Sequence, residues 1–357
     1  MAEPLPPGAV IGILGGGQLG RMLALAAARL GLRCHIYDPA PGCPASQVSD
    51  RATHAGFDDV AALRTFAEAV DVVTYEFENI PTASLDAIEA IVPIRPGRIA
   101  LATSQDRLTE KTFLNDCGLR TAPFAPVQDA ESLKAAIAQI GTPSILKTRR
   151  LGYDGKGQAR LADPTGADAA LQAVQGAEAI LEGFVEFSHE VSIIAARDPE
   201  GRIAAFDPGE NVHRDGILRT TTIPARLTAA QRTDAVLIAA KILNSLDYIG
   251  VIGVELFVCK DGLIVNEFAP RVHNSGHWTQ NGCAIDQFEQ HIRAIAGWPL
   301  GDGSRHSDVE MTNLIGDDMD SLPQLMAETC GLHLYGKAEA RPGRKMGHVN
   351  RITGSPR

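Results

Sequence analysis

The sequence lacks an excess of positive charge. Lysine and arginine number 33 against 43 aspartates and glutamates, and the formal net charge at pH 7 is -10. Proteins that grip nucleic acid cover the phosphate backbone with a basic surface, so we expect no nucleic-acid partner. A local basic pocket for a small anion remains compatible with this balance.

Long apolar runs and paired cysteines are missing as well. The opening residues, MAEPLPPGAV, have neither a cationic start nor an apolar core segment, which predicts no signal peptide. No apolar run reaches membrane-spanning length, so we expect no membrane partner. The six cysteines show no C-x-x-C spacing, which favours reduced thiols in the cytoplasm over a zinc or redox site.

What is present is typical of an α/β enzyme with more than one domain. The 357 residues exceed the size at which one core stops growing. Strands alternate with helices over residues 1–103, which predicts a parallel sheet with helices on both faces. Residues 104–298 read as a mixed α+β region, and residues 299–357 look like strands joined by a Pro-Gly turn.

A glycine loop follows the first predicted strand. Gly15, Gly17 and Gly20 spell G-x-G-x-x-G before a helix, and Asp38 ends the next strand where a dinucleotide enzyme places its ribose-binding acid. Three readings compete: an NAD site, a site for another anion at the helix N-terminus, and a plain tight turn. The rest of the chain favours the second reading, because it supplies a separate nucleotide site and no dehydrogenase-like catalytic arrangement.

The segment GVELFVCKDGLIVNEFAPR predicts a hairpin that carries Glu255 and Glu267. A two-residue Asp-Gly turn would put them on opposite faces, whereas a three-residue loop with Gly262 left-handed would pair them directly. We predict the three-residue loop. Paired like charges need a cation between them, and hard oxygen ligands suit Mg²⁺. The alternative is that one glutamate simply faces solvent from an edge strand.

Four segments carry a family resemblance: LKTRRLGYDGKGQ, the glutamate hairpin, APRVHNSGHWTQNG and RPGRKMGHVN. Together they resemble the 5-(carboxyamino)imidazole ribonucleotide synthases, which are ATP-grasp ligases of purine biosynthesis. The resemblance implies α/β and α+β architecture: a Rossmann-like (pre-ATP-grasp) domain for the ribonucleotide, an ATP-grasp domain with a mobile flap at about 121–185, and a small β-rich C-terminal domain.

The same resemblance implies the reaction. ATP and bicarbonate give carboxyphosphate and ADP, and the exocyclic amine of 5-aminoimidazole ribonucleotide then takes the carboxylate. Mg²⁺ is the expected metal, with Mn²⁺ as a substitute, and the assembly implied is a homodimer.

For ATP, the resemblance implies cationic phosphate contacts, a glycine-rich flap, an adenine segment that acts through its backbone, a ribose carboxylate at Glu190 and a further contact at His213. The residues assigned to ATP are Arg107, Lys147, Gly152, Tyr153, Asp154, Gly155, Lys156, Gly157, Gln158, Glu182, Gly183, Phe184, Val185, Glu190, His213, Asn266 and Glu267. Glu255 and Glu267 would hold the metal. Many ATP-grasp relatives place an asparagine where this chain has Ala269, so water or Asn266 is expected to complete the metal shell.

The chemical step is assigned to Arg271, His273, Asn274 and Glu76. A guanidinium binds planar bicarbonate in a fork, and His273 either contacts the anion or orients a neighbouring ligand. Glu76 would orient the substrate amine, with Glu78 as a competitor for the role. The ribonucleotide is assigned to Gly17, Gln18, Leu19, Glu76, Tyr153, Lys337, Arg344 and Lys345.

Three other functions remain open on the sequence. A formate-dependent glycinamide ribonucleotide transformylase would share the nucleotide contacts and differ around the acceptor. An NAD oxidoreductase would use the glycine loop, and a catalytically dead nucleotide-binding module would lack turnover.

Overall fold

The apolar runs of the sequence become the strands of three sheets. The computed structural model describes residues 3–152 and 157–355. Over these residues the strands are β1 Val10–Leu14, β2 Arg33–Tyr37, β3 Arg51–Thr53, β4 Val72–Tyr75, β5 Phe124–Val127, β6 Ser144–Thr148, β7 Gln158–Leu161, β8 Ala179–Gly183, β9 His189–Arg197, β10 Ile203–Ala205, β11 Gly209–Arg214, β12 Ile217–Ile223, β13 Gly250–Cys259, β14 Gly262–Ala269, β15 Asp308–Ile315, β16 Gly331–Leu334 and β17 Lys345–Gly354.

The helices pack on these sheets or connect them. They are α1 Gln18–Arg29, α2 Val60–Ala67, α3 Thr82–Glu89, α4 Arg98–Ser104, α5 Arg107–Asp116, α6 Ala130–Ile140, α7 Ala167–Ala173, α8 Ala229–Ser245, α9 Thr279–Gly282, α10 Gln287–Ile295 and α11 Leu322–Ala327. None of the helices in the described ranges combines the length and the apolar character that a bilayer crossing needs.

The N-terminal sheet is parallel, with strand order β3-β2-β1-β4, as the alternation of strands and helices predicts. Helix α1 buries Met22, Leu23 and Ala27 in one core cluster with Ile292 of α10. Helices α2 and α3 contribute to a second cluster on β4. The sheet is thus covered on both faces, and α10 joins it to the rest of the chain.

The middle of the chain forms two further sheets. One is antiparallel, in the order β5-β8-β6-β7, with α6 and α7 packed on it. The other runs β14-β13-β9-β11-β12-β15-β17-β16, with β10 paired to β9. Helix α8 begins with a capping box between Thr228 and Gln231 and buries Ala239 and Ile242 against this larger sheet.

The C-terminal segment is rich in β-strands, as expected, and these strands extend the central sheet. β15 pairs with β12, and β17 lies between β15 and β16. The connection from β16 to β17 spans residues 335–344, so Pro342 and Gly343 form one turn near its end rather than the whole link. The predicted boundary at residue 299 therefore divides the chain but not the sheet.

His291 of α10 ties the N-terminal sheet to the central one. Its Nε2 lies 2.8 Å from Thr74 Oγ1 of β4, and its Nδ1 accepts the backbone N–H of Val251 at 3.1 Å. Since Nδ1 accepts, the proton is on Nε2 and the ring is neutral. Burial lowers the pKa of His291 to about 3.

We expect this tie to weaken in acid. Below the unfolded-state pKa of about 6.5, His291 binds a proton in the unfolded chain but not in the folded one. The free energy of unfolding therefore falls as pH falls from about 6.5 toward the folded-state pKa of His291. A single group of this kind contributes a slope of up to about 1.4 kcal/mol per pH unit. Urea unfolding at pH 7.0 and 5.5 measures the loss.

The variant His291→Asn should be less stable at pH 7 and should show a shallower decline than the parent chain. Replacing the exposed His54 by Asn provides the matched control and should leave the pH slope unchanged. An unaltered slope in His291→Asn would contradict this assignment.

Candidate functional site

A cavity of about 510 Å³ opens where the N-terminal domain, α5 and the β13–β14 hairpin meet. Glu255 and Glu267 of the hairpin line it together with Arg107 of α5 and with Arg271 and His273 beyond β14. Together with Gly152, which also lines it, six of the residues predicted for catalysis, ATP or metal therefore share one cavity. Charges of both signs face one another there, as an anionic substrate with a metal ion requires.

The two hairpin glutamates lie directly opposite each other, as predicted, but the predicted three-residue loop was wrong. The turn has two residues, Lys260 and Asp261, because Cys259 already pairs with Gly262. That register would put Asn266 opposite Glu255. The ladder shifts by one residue between Leu256 and Glu255, so a bulge at Asn266 brings Glu267 opposite Glu255.

The two carboxylates have opposite electrostatic surroundings. Burial, and then the charge of Glu267, raises the pKa of Glu255 to about 7. Burial would raise the pKa of Glu267 too, but Arg107, whose Nη1 donates to Glu267 Oε2 at 2.7 Å, helps to hold it near 2. A carboxylate whose ionisation is opposed by its neighbour fits a site for a divalent cation, which would favour its charged form.

Glu190 and His213 approach Glu255 from the neighbouring strands β9 and β11. His213 Nδ1 lies 2.8 Å from Glu190 Oε2, and one ligand atom from each of these three residues falls within 4.8 Å of the others. Burial works to lower the pKa of His213, but Glu190 and then Glu255 outweigh it and raise it. The pair predicted for the nucleotide thus adjoins the predicted metal ligands, and the three residues could themselves hold a metal ion.

The predicted phosphate lysine and the adenine segment meet at Glu182. Lys147 Nζ donates to Glu182 Oε2 at 2.9 Å, so this carboxylate orients the lysine. Phe184 donates its N–H to the carbonyl of Pro143 and lies under the Arg160 guanidinium. The backbone of Val185 has no partner in the described part of the chain, as a segment that binds a base through its backbone requires.

The predicted flap is only partly described. Tyr153, Asp154, Gly155 and Lys156 lie outside the described residues. On its flanks, the Gly152 carbonyl accepts from Arg107 Nη2 at 3.3 Å, the Gly157 carbonyl accepts from the Thr148 N–H, and Gln158 pairs with Lys147 at the start of β7.

Arg271 and His273 face the cavity as predicted, and each is held by a carboxylate. Arg271 Nε lies 3.0 Å from Glu78 Oε1, and His273 Nε2 lies 3.3 Å from Glu255 Oε1. Gly253 makes room for the imidazole, because a Cβ there would come 2.5 Å from that of His273. Burial, and then Arg271, lowers the pKa of His273 to about 3, so the ring is neutral. This geometry favours the reading that His273 orients a ligand.

Asn274 does not follow its prediction. Its side-chain amide exchanges two hydrogen bonds with the amide of Asn313, at 2.9 and 2.8 Å. Among the described residues, those that line the cavity do not include it. The amide pair joins the loop after β14 to β15, which leaves Asn274 with a structural contact rather than one to an anion.

The glycine loop is closed by the protein's own carboxylates. The N–H groups of Gly16 and Gly17 donate to Asp38 Oδ2 and Glu76 Oε1, both at 2.7 Å. A Cβ on Gly17 would lie 2.8 Å from Glu76 Oε1, which explains the need for glycine. The dinucleotide interpretation expects Asp38 to bind a ribose, but here its carboxylate accepts the N–H of Gly16 in the loop. Burial raises the pKa of Glu76.

Other residues assigned to the ribonucleotide lie around this loop. Gln18 and Leu19 form the first turn of α1, whose N-terminus carries no side-chain cap. Lys337 feels the charge of Glu76, which places it near the loop, and its Nζ donates to the carbonyl of Lys345 at 2.7 Å. Arg344 lies close enough to lower the pKa of Lys337. The three basic residues expected to bind the substrate phosphate therefore lie close to one another and to Glu76 beside the glycine loop.

Two site residues were missed from the sequence, Glu110 and Lys111 of α5. Both are almost completely buried, and Glu110 lines the cavity. Lys111 Nζ lies 2.8 Å from the Asn266 carbonyl and 3.5 Å from Glu182 Oε2. A lysine in a helix is usually solvated, so only the spacing Arg107, Glu110, Lys111 on one helix face was available as a signal.

Three family models match consecutive parts of the chain. A ribonucleotide synthetase preATP-grasp domain matches residues 9–105, and an ATP-grasp domain matches residues 112–288. A phosphoribosylaminoimidazole carboxylase C-terminal domain matches residues 310–356.

Relatives match nearly the whole chain. An N5-carboxyaminoimidazole ribonucleotide synthase from Brucella melitensis is 58% identical, with 98% of this chain and 97% of the relative covered. The enzyme of the same name from Bacillus subtilis is 40% identical, with 96% and 91% covered.

Solved structures agree with these matches. The ADP complex of an N5-carboxyaminoimidazole ribonucleotide synthetase has a TM-score of 0.96 at 43% identity and covers 99% of this chain and 94% of that one. The Aspergillus clavatus synthase in complex with ADP and 5-aminoimidazole ribonucleotide has a TM-score of 0.92 at 31% identity, with 98% and 95% covered.

We predict that nicotinamide dinucleotides do not bind at the glycine loop. Gly16 and Gly17 already donate to Asp38 and Glu76, so a pyrophosphate would have to displace two carboxylates. Neither NAD nor NADP should raise the melting temperature, whereas Mg-ADP, as the positive control, should. A rise with NAD that Gly17→Ala abolishes would contradict this prediction.

Proposed function

The chain belongs to the N5-carboxyaminoimidazole ribonucleotide synthase family of ATP-grasp ligases, and we propose that it uses ATP and bicarbonate to carboxylate the exocyclic amine of 5-aminoimidazole ribonucleotide. The observation that carries this proposal is the pairing of Glu255 with Glu267 beside Arg107 and Arg271 in one cavity. The products are ADP, phosphate and the N5-carboxylated ribonucleotide of purine biosynthesis.

Binding of the nucleotide is the first task of the site. Lys147 and Arg107 would contact the phosphates, the backbone near Val185 would meet adenine, and Glu190 would bind the ribose. Glu255 and Glu267 would hold Mg²⁺, which would neutralise phosphate charge when bound. Because residue 269 is alanine, water or Asn266 would complete the metal shell.

Arg271 would position bicarbonate for attack on the γ-phosphorus. Glu78 holds the guanidinium at Nε, and Nη1 donates to the Val272 carbonyl at 3.0 Å, so the remaining N–H groups would bind the planar anion. A bicarbonate oxygen forms the new bond to phosphorus as the bond from phosphorus to the ADP oxygen breaks. The positive charge of Arg271 stabilises the carboxyphosphate that results. Neutral His273 would keep Glu255 oriented toward the metal.

Carbon transfer completes the reaction. Loss of phosphate from carboxyphosphate would release CO₂ in the cavity, and the substrate amine would attack its carbon and pass its proton to the departing phosphate. Lys337, Arg344 and Lys345 would bind the ribonucleotide's phosphate, together with the N-terminus of α1. Glu76 accepts the N–H of Gly17 in the glycine loop, and it would also orient the substrate amine.

Three further features rest on the family resemblance. We propose Mg²⁺ with Mn²⁺ as a substitute, a homodimeric assembly and a cytoplasmic location.

The proposal predicts which substrates release ADP. We expect release only when bicarbonate and 5-aminoimidazole ribonucleotide are both present, because bicarbonate would supply the carboxyl group and the ribonucleotide would accept it. Glu267→Gln should lower kcat by about 100-fold or more, the scale of losing one electrostatic contact to the reacting groups. A coupled ADP assay measures both. Release that requires formate and glycinamide ribonucleotide would replace our proposal by the transformylase, and full activity of Glu267→Gln would remove the metal role.

A second prediction concerns pH. Burial, and then Arg344, lowers the pKa of Lys337 to about 8, so its charge is lost as pH rises through that value. We expect kcat/KM for the ribonucleotide to fall between pH 7 and 9, because kcat/KM reports ionisation of the free enzyme.

Lys337→Met should have a low kcat/KM at pH 7 and should lose this pH dependence. The exposed Lys134, replaced by Met, is the control and should keep the parent profile. A profile in Lys337→Met that still falls near pH 8 would assign the ionisation to another group.

A further inference from the structure

Three consecutive residues at the bulge are each held by one residue of α5. The Asn266 carbonyl accepts from Lys111 Nζ at 2.8 Å. Glu267 Oε2 accepts from Arg107 Nη1 at 2.7 Å, and the Phe268 N–H donates to Glu110 Oε1 at 2.7 Å. Two of these contacts are made to the backbone, so they fix the path of the strand rather than one side chain.

The sequence of α5 explains how one helix reaches all three. Arg107, Glu110 and Lys111 stand at i, i+3 and i+4 and therefore lie on one helix face. The helix start is fixed in turn, because Asp106 accepts the N–H groups of Leu108 and Thr109. This short helix thus presents two donors, Arg107 and Lys111, and one acceptor, Glu110, to the bulge.

The burial of these contacts makes them energetically demanding. Glu110 is 2% exposed and Lys111 is 1% exposed, and a buried charge is tolerated only with close partners. Lys111 finds a second one in Glu182 at 3.5 Å, which also holds Lys147. An apolar side chain at either position would leave the Asn266 carbonyl or the Phe268 N–H without this partner, so both residues are tied to the bulge.

The bulge itself decides which side chain faces Glu255. From the two-residue turn, a regular ladder would bring Asn266 to that position. The extra residue moves Glu267 there and interrupts the ladder, whose peptide groups then need other partners. Lys111 and Glu110 provide them on either side of Glu267.

We propose that Glu110 and Lys111 are positioning residues that hold the Asn266 bulge and thereby set Glu267 in register with Glu255 for the metal. This proposal rests on the proposed function for the metal's role, but the hydrogen bonds that motivate it are independent of that role. Neither residue touches the reacting atoms in this account.

The test is the metal requirement of Lys111→Met, which keeps the length of the side chain and removes its charge. We expect the Mg²⁺ concentration for half-maximal ADP binding, measured by calorimetry, to rise about tenfold, the usual cost of losing a residue that orients a metal ligand. ADP binding in excess chelator should change less than Mg-ADP binding. All measurements are made well below each variant's melting temperature.

Two further variants separate positioning from general stability. Arg120 Nη1 donates to the Asp261 carbonyl at 3.1 Å, so Arg120→Met removes an exposed contact to the backbone at the far end of the same hairpin and should leave the Mg²⁺ requirement unchanged. Glu110→Gln retains an oxygen that can accept the Phe268 N–H, and its Mg²⁺ requirement should rise less than that of Glu110→Ala.

The outcomes distinguish this proposal from the proposed function. If the parent enzyme releases ADP with bicarbonate and ribonucleotide while Lys111→Met binds Mg-ADP like the parent, the positioning role is refuted and the function stands. If Mg²⁺ does not tighten ADP binding to the parent chain at all, the metal role of the two glutamates fails first.

Discussion

One irregularity in a β-ladder determines the chemistry that this cavity can host. The Asn266 bulge puts two carboxylates, rather than a carboxylate and an amide, on facing strands. Like charges placed so close are unfavourable in a protein interior unless other charges compensate them. Arg107 compensates Glu267, while Glu255 is left with a raised pKa, and this imbalance is what gives a cation a reason to bind.

Around this pair, several charged side chains are each held by a partner of opposite charge. Lys111 and Lys147 share Glu182, Glu78 holds Arg271, and Glu190 holds His213. In each pair, one side chain of the protein orients the other before any substrate binds. Preorganised charges of this kind need little rearrangement when a phosphate arrives.

The sequence predicted the identity of the site better than its geometry. Glu255 and Glu267 were found because they interrupt apolar strands, and their pairing was predicted, but the turn was placed one residue wrong because a bulge leaves no local signal in NEFA. Lys111 was missed because burial of a helical lysine depends on partners in a distant hairpin. Asn274 was assigned to an anion, yet its amide is used by Asn313, a contact that only the tertiary fold reveals. At the glycine loop, the sequence did not predict that Asp38 and Glu76 together accept the N–H groups of Gly16 and Gly17.

The shared central sheet also bears on the order in which the molecule can form during synthesis on the ribosome. Strands β15, β16 and β17 follow all other strands of that sheet in the chain, yet β15 covers the edge of β12. Until these strands are synthesised, the edge of β12 is unpaired, and Asn274 in the loop after β14 lacks its partner Asn313. An unpaired edge exposes backbone groups to unwanted pairing. The sheet that carries Glu255 and Glu267 is therefore completed only after strands that follow the β13–β14 hairpin in the chain have been synthesised.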